Sequence, residues 1–156
     1  MGDYKQTMLF KPVTIQEANA YLPFVKEKLI KVQKLVIKGQ VLQQHLDDRK
    51  TTKISRLRAD GQEEIELLDF SSAREKVLAI EQTIRDELVK LHGLGIVVKS
   101  IVPGRICFFA ERHRQPVFLS WQAGEKEVSY WHALDDGFSM RQIVQQPEAF
   151  GPHYIH

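Results

Sequence analysis

Apolar residues in the first third of the chain recur at alternating steps of three and four positions, which is the period of an α-helix. These positions are Leu22, Val25, Leu29, Val32 and Val36. A capping box precedes them, in which the Thr14 hydroxyl can accept from the Glu17 amide while the Glu17 side chain reaches back to the Thr14 amide. The pattern therefore predicts a first helix over residues 14–46, with Pro23 inside it.

A second apolar series has the same period and lies in the middle of the chain. Its positions are Phe70, Ala73, Val77, Ile80, Ile84, Leu88 and Leu91. Gly93 and Gly95 follow it, and glycine commonly ends a helix. We therefore predict a second helix over residues 63–92, separated from the first by a polar loop over residues 47–62. Two consecutive amphipathic helices of this length favour an antiparallel hairpin.

From residue 96 the pattern changes to short β-prone runs that Pro, Gly or charged residues separate. The runs cover residues 96–99, 106–110, 117–121 and 128–132. They predict a β-meander over residues 96–132, with three or four antiparallel strands, and then a C-terminal segment over residues 133–156. The expected fold is a single α+β domain over residues 1–156, in which a long antiparallel helical hairpin precedes a small antiparallel β-sheet.

The clearest turn signal lies between the last two runs. A two-residue loop at Gly124-Glu125, with Gly124 first in a type II′ turn, would pair Leu119 with Tyr130 and Phe118 with Trp131. Both faces of this hairpin would carry large apolar groups. One face would cover the helices, and the other would need the C-terminal segment, another subunit or a ligand. A one-residue slip would exchange the two faces.

Charge is distributed unevenly along the 156 residues, although the net charge is only +2. Residues 1–60 hold 12 Lys and Arg against 6 Asp and Glu, whereas residues 61–95 hold 4 against 8. We expect a cytoplasmic protein without a membrane segment, since no apolar run approaches the ~20 residues of a span and no secretory signal is present. Cys107 is the single cysteine, which excludes an internal disulfide and fits a reducing compartment.

Several segments resemble one uncharacterised bacterial family, the domain of unknown function 2203. They are residues 14–23, residues 95–99, the Trp-x-x-Gly-Glu turn over residues 117–125, Tyr130-Trp131-His132, Gly137-Phe138 and Arg141-Gln142. The resemblance covers nearly the whole chain and implies the fold, but it implies no activity, cofactor or catalytic residue. One departure is Cys107, at a position where family members often carry an acidic residue.

A candidate ligand site lies near these C-terminal motifs. It consists of Lys99, Glu125, Trp131, His132 and Arg141. Carboxylate and imidazole groups can bind metals, and arginine can hold an anion. The set Glu125, His132, Asp135 and Asp136 matches no known metal motif, so we assign no metal ligand. We interpret Cys107 as a buried small hydrophobe rather than a nucleophile.

The sequence leaves three functions open, and it does not decide whether the protein is an enzyme. The leading hypothesis is a non-enzymatic protein-interaction or assembly module that acts as a homodimer, with Phe118 and Trp131 at the interface. The alternative is a small-molecule or metal-binding domain, with or without catalysis, at the site above; its cofactor is unknown. The third is binding of RNA or the ribosome through the basic first half. We do not expect nucleic-acid binding, because the lysines at 31, 34 and 38 can instead pair with the acidic second helix.

Overall fold

The chain forms two long helices followed by one antiparallel β-sheet, as seen in a computed structural model that describes residues 11–56 and 63–151, with side chains for 11–48 and 71–151. The helices are α1 (Ile15–Arg56) and α2 (Glu63–Gly93). The strands are β1 (Ile96–Ser100), β2 (Arg105–Arg112), β3 (Gln115–Gln122), β4 (Tyr130–Ala133) and β5 (Gln142–Ile143), paired in that order. Short 3₁₀ turns cover Phe138–Met140 and Pro147–Ala149. The predicted α+β class is confirmed, with five strands in place of the expected three or four.

The start of α1 has the predicted capping box. The Glu17 amide donates to the Thr14 Oγ1 at 3.0 Å, and the Thr14 amide donates to Glu17 Oε1 at 3.3 Å. The helix then continues to Arg56, ten residues beyond the predicted end, while residues 57–62 lie outside the described part. Side-chain bonds one turn apart, from Gln43 to Asp47 and from Gln44 to Asp48, support the helix past residue 46.

Contacts divide the described chain into two compact units. The helical unit is Lys31–Glu87, and the sheet unit contains residues 11–30 and 88–151. In the helical unit the core consists of Val32, Leu46, Val77 and Ile80. At its edge Lys31 Nζ lies 2.8 Å from the buried Glu87 carboxylate, which is one of the predicted pairs between the basic and the acidic helix. The prediction of a single domain over residues 1–156 stays a prediction.

The sheet unit buries one face of its sheet against the two helix segments that belong to it. The helical side of this core consists of Ile15, Ala18, Leu22, Val25 and Leu29 from α1 and Leu91 from α2. The strand side consists of Ile96, Ile106, Phe108, Ala110, Val117, Leu119 and Trp121. These strand residues alternate along each strand, so their neighbours point to the opposite face. Among the described residues, no helix is long and apolar enough to cross a membrane.

The predicted register of β3 and β4 is wrong by one residue. Leu119 pairs with Trp131 and Phe118 with His132, instead of Leu119 with Tyr130 and Phe118 with Trp131. The connection between β3 and β4 covers residues 123–129 and is therefore longer than a two-residue loop. It begins with a turn in which Gly124 is the third residue and which the Glu125 amide closes by donating to the Gln122 carbonyl. Its φ of 103° is positive, as a type II turn requires at that position, whereas the predicted type II′ turn would place Gly124 second.

Candidate functional site

The face of the sheet that points away from the helical segments carries polar and charged side chains; we call it the second face. The strand registers place Lys99, Cys107, Phe118, Ser120, Tyr130 and His132 on it. The segment after β4 returns over this face, and the Phe138 ring lies edge-on to the His132 ring at 6.2 Å. The sequence leaves open whether the C-terminal segment, another subunit or a ligand packs on this face. The C-terminal segment packs on at least its centre.

Arg141 ties that segment to the β3–β4 turn. Its Nη1 and Nη2 donate to the two carboxylate oxygens of Glu125, each at 2.9 Å, which is a bidentate pair. The guanidinium carbon also lies 4.3 Å from the ring centres of both Tyr130 and Phe138. Glu125 is held in turn by the Gln122 amide, which donates to its Oε1 at 2.7 Å. The pair is largely shielded from water, since the two side chains are 16% and 22% exposed.

A second arginine stands beside this pair. The guanidinium carbon of Arg105 lies 5.3 Å from the Phe138 ring centre, and its buried Nε has no hydrogen-bond partner. Both arginines line an open cavity of about 330 Å³, which we call the arginine pocket. Its lining residues are Arg105, Gln122, Tyr130, Phe138, Ser139 and Arg141. The pocket thus combines two cations, two hydroxyl groups and a carboxamide with aromatic rings.

Beneath this layer, Cys107 and His132 form a buried polar contact. Cys107 Sγ lies 3.6 Å from His132 Nε2, and His132 Nδ1 lies 2.8 Å from the Ala133 carbonyl oxygen. Because a carbonyl can only accept, Nδ1 carries a proton, and in the neutral ring this leaves Nε2 as the acceptor for the thiol. Burial raises the pKa of Cys107 to about 12, although the charges of Lys99 and Arg141 lower it in part. The thiol is therefore protonated at neutral pH and is not an activated nucleophile.

The structure brings together most of the predicted site residues. Arg141 lines the pocket, Glu125 is bonded to it, and His132 and Lys99 lie on the same face, where Lys99 Nζ stands 5.0 Å from the Phe118 ring centre. Trp131 does not join them, because it pairs with Leu119 and faces the core side. Whether these residues bind a ligand stays a prediction.

Trp131 lines a different cavity, of about 270 Å³. The guanidinium carbon of Arg112 lies 4.5 Å from its ring centre, and Phe150 meets the ring edge-on at 5.9 Å. Phe118, the other residue assigned to an interface, is only 6% exposed. Both aromatic residues are thus largely occupied by contacts within the chain.

Arg105 and the contact between Cys107 and His132 are the parts of the site that the sequence does not reveal. Arg105 follows Gly104 at the start of a strand and belongs to no motif. The approach of Cys107 to His132 depends on the registers of three strands, which the pattern of residues leaves open. Arg141 and Phe138, in contrast, stand in the Gly-Phe-x-x-Arg-Gln motif that carries the family resemblance.

Acidic and metal-ligating side chains do not gather on this face. Within residues 11–48 and 71–151, no group of three or more His, Cys, Asp or Glu is placed to hold a metal ion. Of the set that the sequence suggested, Glu125 is bonded to Arg141 and His132 contacts Cys107. The chemistry of the pocket is instead that of guanidinium groups, which bind anions.

Comparison with known proteins identifies the family but no function. No curated protein and no solved structure matches the chain. The family model described as an uncharacterized conserved protein, DUF2203, matches residues 11–144, which include all five strands and every residue of the arginine pocket. The chain therefore belongs to the DUF2203 family of uncharacterized conserved proteins.

Proposed function

We propose that the protein is a small-molecule-binding domain whose ligand is a small anion held in the arginine pocket. The position of Arg105 carries this proposal, because its guanidinium lines the pocket beside that of Arg141 and its Nε has no hydrogen-bond partner. A guanidinium carries five N–H donors, and an anion in the pocket can accept charge-assisted bonds from those that face it.

The charges around the pocket indicate a ligand with one negative charge. Arg105 and Arg141 are both cationic, because a guanidinium does not lose its proton in proteins. Glu125 compensates the charge of Arg141, and none of the residues that line the cavity is acidic. The volume of about 330 Å³ suits a small molecule, since ligand pockets run from roughly 300 to 1,000 Å³. Tyr130 and Phe138 can contact an apolar part of such a ligand.

Isothermal titration calorimetry with sodium benzoate and with inorganic phosphate tests this proposal. We expect binding to the wild type and at least about a tenfold weaker affinity for Arg105→Gln, because one charge-assisted bond is lost. Arg114→Gln is the matched control, since it removes the same charge from an exposed side chain outside the pocket. Equal affinities of the two variants, or no binding of either anion at millimolar concentration, would overturn the proposal.

The proposal describes binding and includes no catalytic step, because the Cys107 thiol beneath the pocket is buried and protonated. A cytoplasmic location is part of it, since Cys107 is a free thiol and a reducing compartment keeps it so. No observation on the described residues favours RNA or ribosome binding. Lys31 contacts Glu87, and the side chains at 49, 50, 53, 56 and 58 lie outside the described part.

A homodimeric assembly module is the second candidate, and one observation favours it. Ile37 and Val41 lie one turn apart on α1 in the helical unit, and they are 58% and 64% exposed. Neighbouring apolar residues on a helix face can pack against a second copy of the chain. Native mass spectrometry of the untagged protein tests this, with Val41→Lys as the variant that should dissociate a dimer. A monomer at micromolar concentration would reject it.

A further inference from the structure

The arginine pocket has two walls, which come from different parts of the sheet unit. One wall consists of side chains on β2, β3 and β4, namely Arg105, Gln122 and Tyr130. The other wall belongs to residues 137–144, which return over the sheet after β4 and which we call the strap. The strap contributes Phe138, Ser139 and Arg141. The complete pocket therefore exists only while the strap lies on the sheet.

The strap is attached to the sheet mainly at the surface. In its 3₁₀ turn, Ser139 and Met140 are exposed and Phe138 is half-buried. The strand β5 pairs with β4 over two residues, and the Val144 amide donates to the Ser129 carbonyl at 2.8 Å. Segments with little buried apolar surface open at a lower free energy than the core of the same protein. We therefore expect the strap to open more often than the sheet unit unfolds.

The two cations of the pocket stand on opposite sides of this boundary. Arg105 belongs to the sheet and Arg141 to the strap, and their guanidinium carbons lie 5.3 and 4.3 Å from the Phe138 ring centre. Glu125 compensates the charge of Arg141, whereas none of the residues that line the pocket is acidic. An anion in the pocket can accept charge-assisted bonds from both guanidinium groups. Such an anion would connect the strap to the sheet.

We infer that the anion fastens the strap to the sheet, so that its binding keeps residues 137–144 closed over β2, β3 and β4 and its release lets them open. This inference rests on the proposed binding of an anion in the arginine pocket. A ligand shifts a conformational equilibrium toward the state that it binds more tightly. Here that state is the closed one, because only the closed strap supplies both walls. The ligand then lowers the population of the open state by the factor 1 + [L]/Kd.

Amide hydrogen exchange, followed by NMR on the full-length protein, measures opening of the strap. The reporters are the amides of Val144 and Arg141, which donate to the carbonyls of Ser129 and Phe138. The reference is the amide of Phe108, a buried residue of β2 between two paired strands. In the free protein the reporters should be less protected than Phe108, because local opening exposes them. Equal protection would show that the strap does not open separately and would overturn the inference.

The anion dependence of exchange is the decisive measurement. Benzoate or inorganic phosphate, whichever binds in calorimetry, is added at about ten times its Kd and at constant ionic strength. Exchange at Val144 and Arg141 should become about tenfold slower, as the linkage factor requires. Benzamide, the neutral analogue of benzoate, should leave it unchanged.

Two variants provide the matched comparison at the same anion concentration. Arg105→Gln, with an affinity about tenfold weaker, should retain only about twofold slowing, whereas the exposed control Arg114→Gln should keep the slowing of the wild type. Equal slowing in both variants would overturn the inference. If an anion binds in calorimetry but exchange at Val144 and Arg141 is unchanged, the inference is overturned and the proposed function stands. If neither anion binds, both are overturned.

Discussion

Cys107 Sγ lies 3.6 Å from His132 Nε2, so a thiol on β2 donates to an imidazole on β4 across the intervening strand β3. The imidazole is oriented by its other nitrogen, which bonds the Ala133 carbonyl. Between them on the same face lies Ser120, whose buried Oγ has no hydrogen-bond partner. The sheet thus encloses a small polar centre under the arginine pocket. Its members are neutral or weakly polar, which limits the cost of their burial.

The shifted Cys107 pKa predicts a loss of stability in alkaline solution. The thiol titrates near 9.0 when exposed and at about 12 in the fold, so between these values the unfolded chain has lost a proton that the folded chain keeps. The contribution of the buried thiol to the free energy of unfolding is complete below pH 9. It decreases as the pH rises toward 12, by at most about 1.4 kcal/mol per pH unit.

Urea unfolding at pH 8 and pH 10 measures this effect, with Cys107→Ala as the comparison. The difference in free energy of unfolding between wild type and variant should shrink at the higher pH, because only the wild type has the thiol. Other groups titrate in both proteins and cancel in that difference. A constant difference between the two pH values would show that the thiol is not shielded as the structure indicates.

The bidentate geometry of Arg141 predicts that lysine cannot replace it. Arg141→Lys keeps the charge but loses one of the two bonds to Glu125 and the stacking between Tyr130 and Phe138. We expect the free energy of unfolding to fall by about 1–2 kcal/mol. Arg114→Lys, at an exposed position, should change it little. Chemical denaturation compares the two, and similar losses in both would contradict a specific role for Arg141.

Sequence patterns predicted the elements of this fold well because local forces determine them. The capping box of Thr14 and Glu17 involves residues three positions apart, and the helical period of the apolar residues reflects burial on one side. The end of α1 was missed because residues 47–56 are polar, and polarity alone does not stop a helix that side-chain bonds support. The predicted loop there rested on composition rather than on a stop signal.

The site could be predicted only as far as it is local in sequence. The sequence identifies Arg141 and Glu125 as candidate residues, but their bond joins positions 16 residues apart and depends on how residues 137–143 return over the sheet. The register of β3 and β4 was misjudged because Gly124 fits either of two turns. That one-residue difference decides that His132, rather than Trp131, shares a face with Phe118.

Gly151, near the C-terminal end of the sheet unit, has a backbone conformation that residues with a side chain rarely adopt. Its φ is 128°, and a Cβ added there would lie 2.9 Å from Thr14 Cγ2. Gly151→Ala should therefore lower the free energy of unfolding by roughly 2 kcal/mol or more, through both strain and overlap. Gly124→Ala shares the positive φ but meets nothing within 4 Å, so it should cost less, and Gly93→Ala, which has neither problem, should be close to neutral. Thermal unfolding ranks the three variants, and any other order would contradict this account.

Asn19 connects α1 to the loop that sets the register of the hairpin. Its Oδ1 accepts a hydrogen bond of 2.7 Å from the Val128 amide, and Val128 is 2% exposed in the core. Asn19→Ala leaves this amide without a partner and should lower the free energy of unfolding by about 1–3 kcal/mol. Asn19→Asp retains an oxygen acceptor and should preserve most of the stability, which separates the hydrogen bond from simple packing. Urea denaturation gives both values. Equal losses in the two variants would mean that the side-chain amide of Asn19 contributes through its NH₂ group or its shape, and not by accepting the hydrogen bond from the Val128 amide.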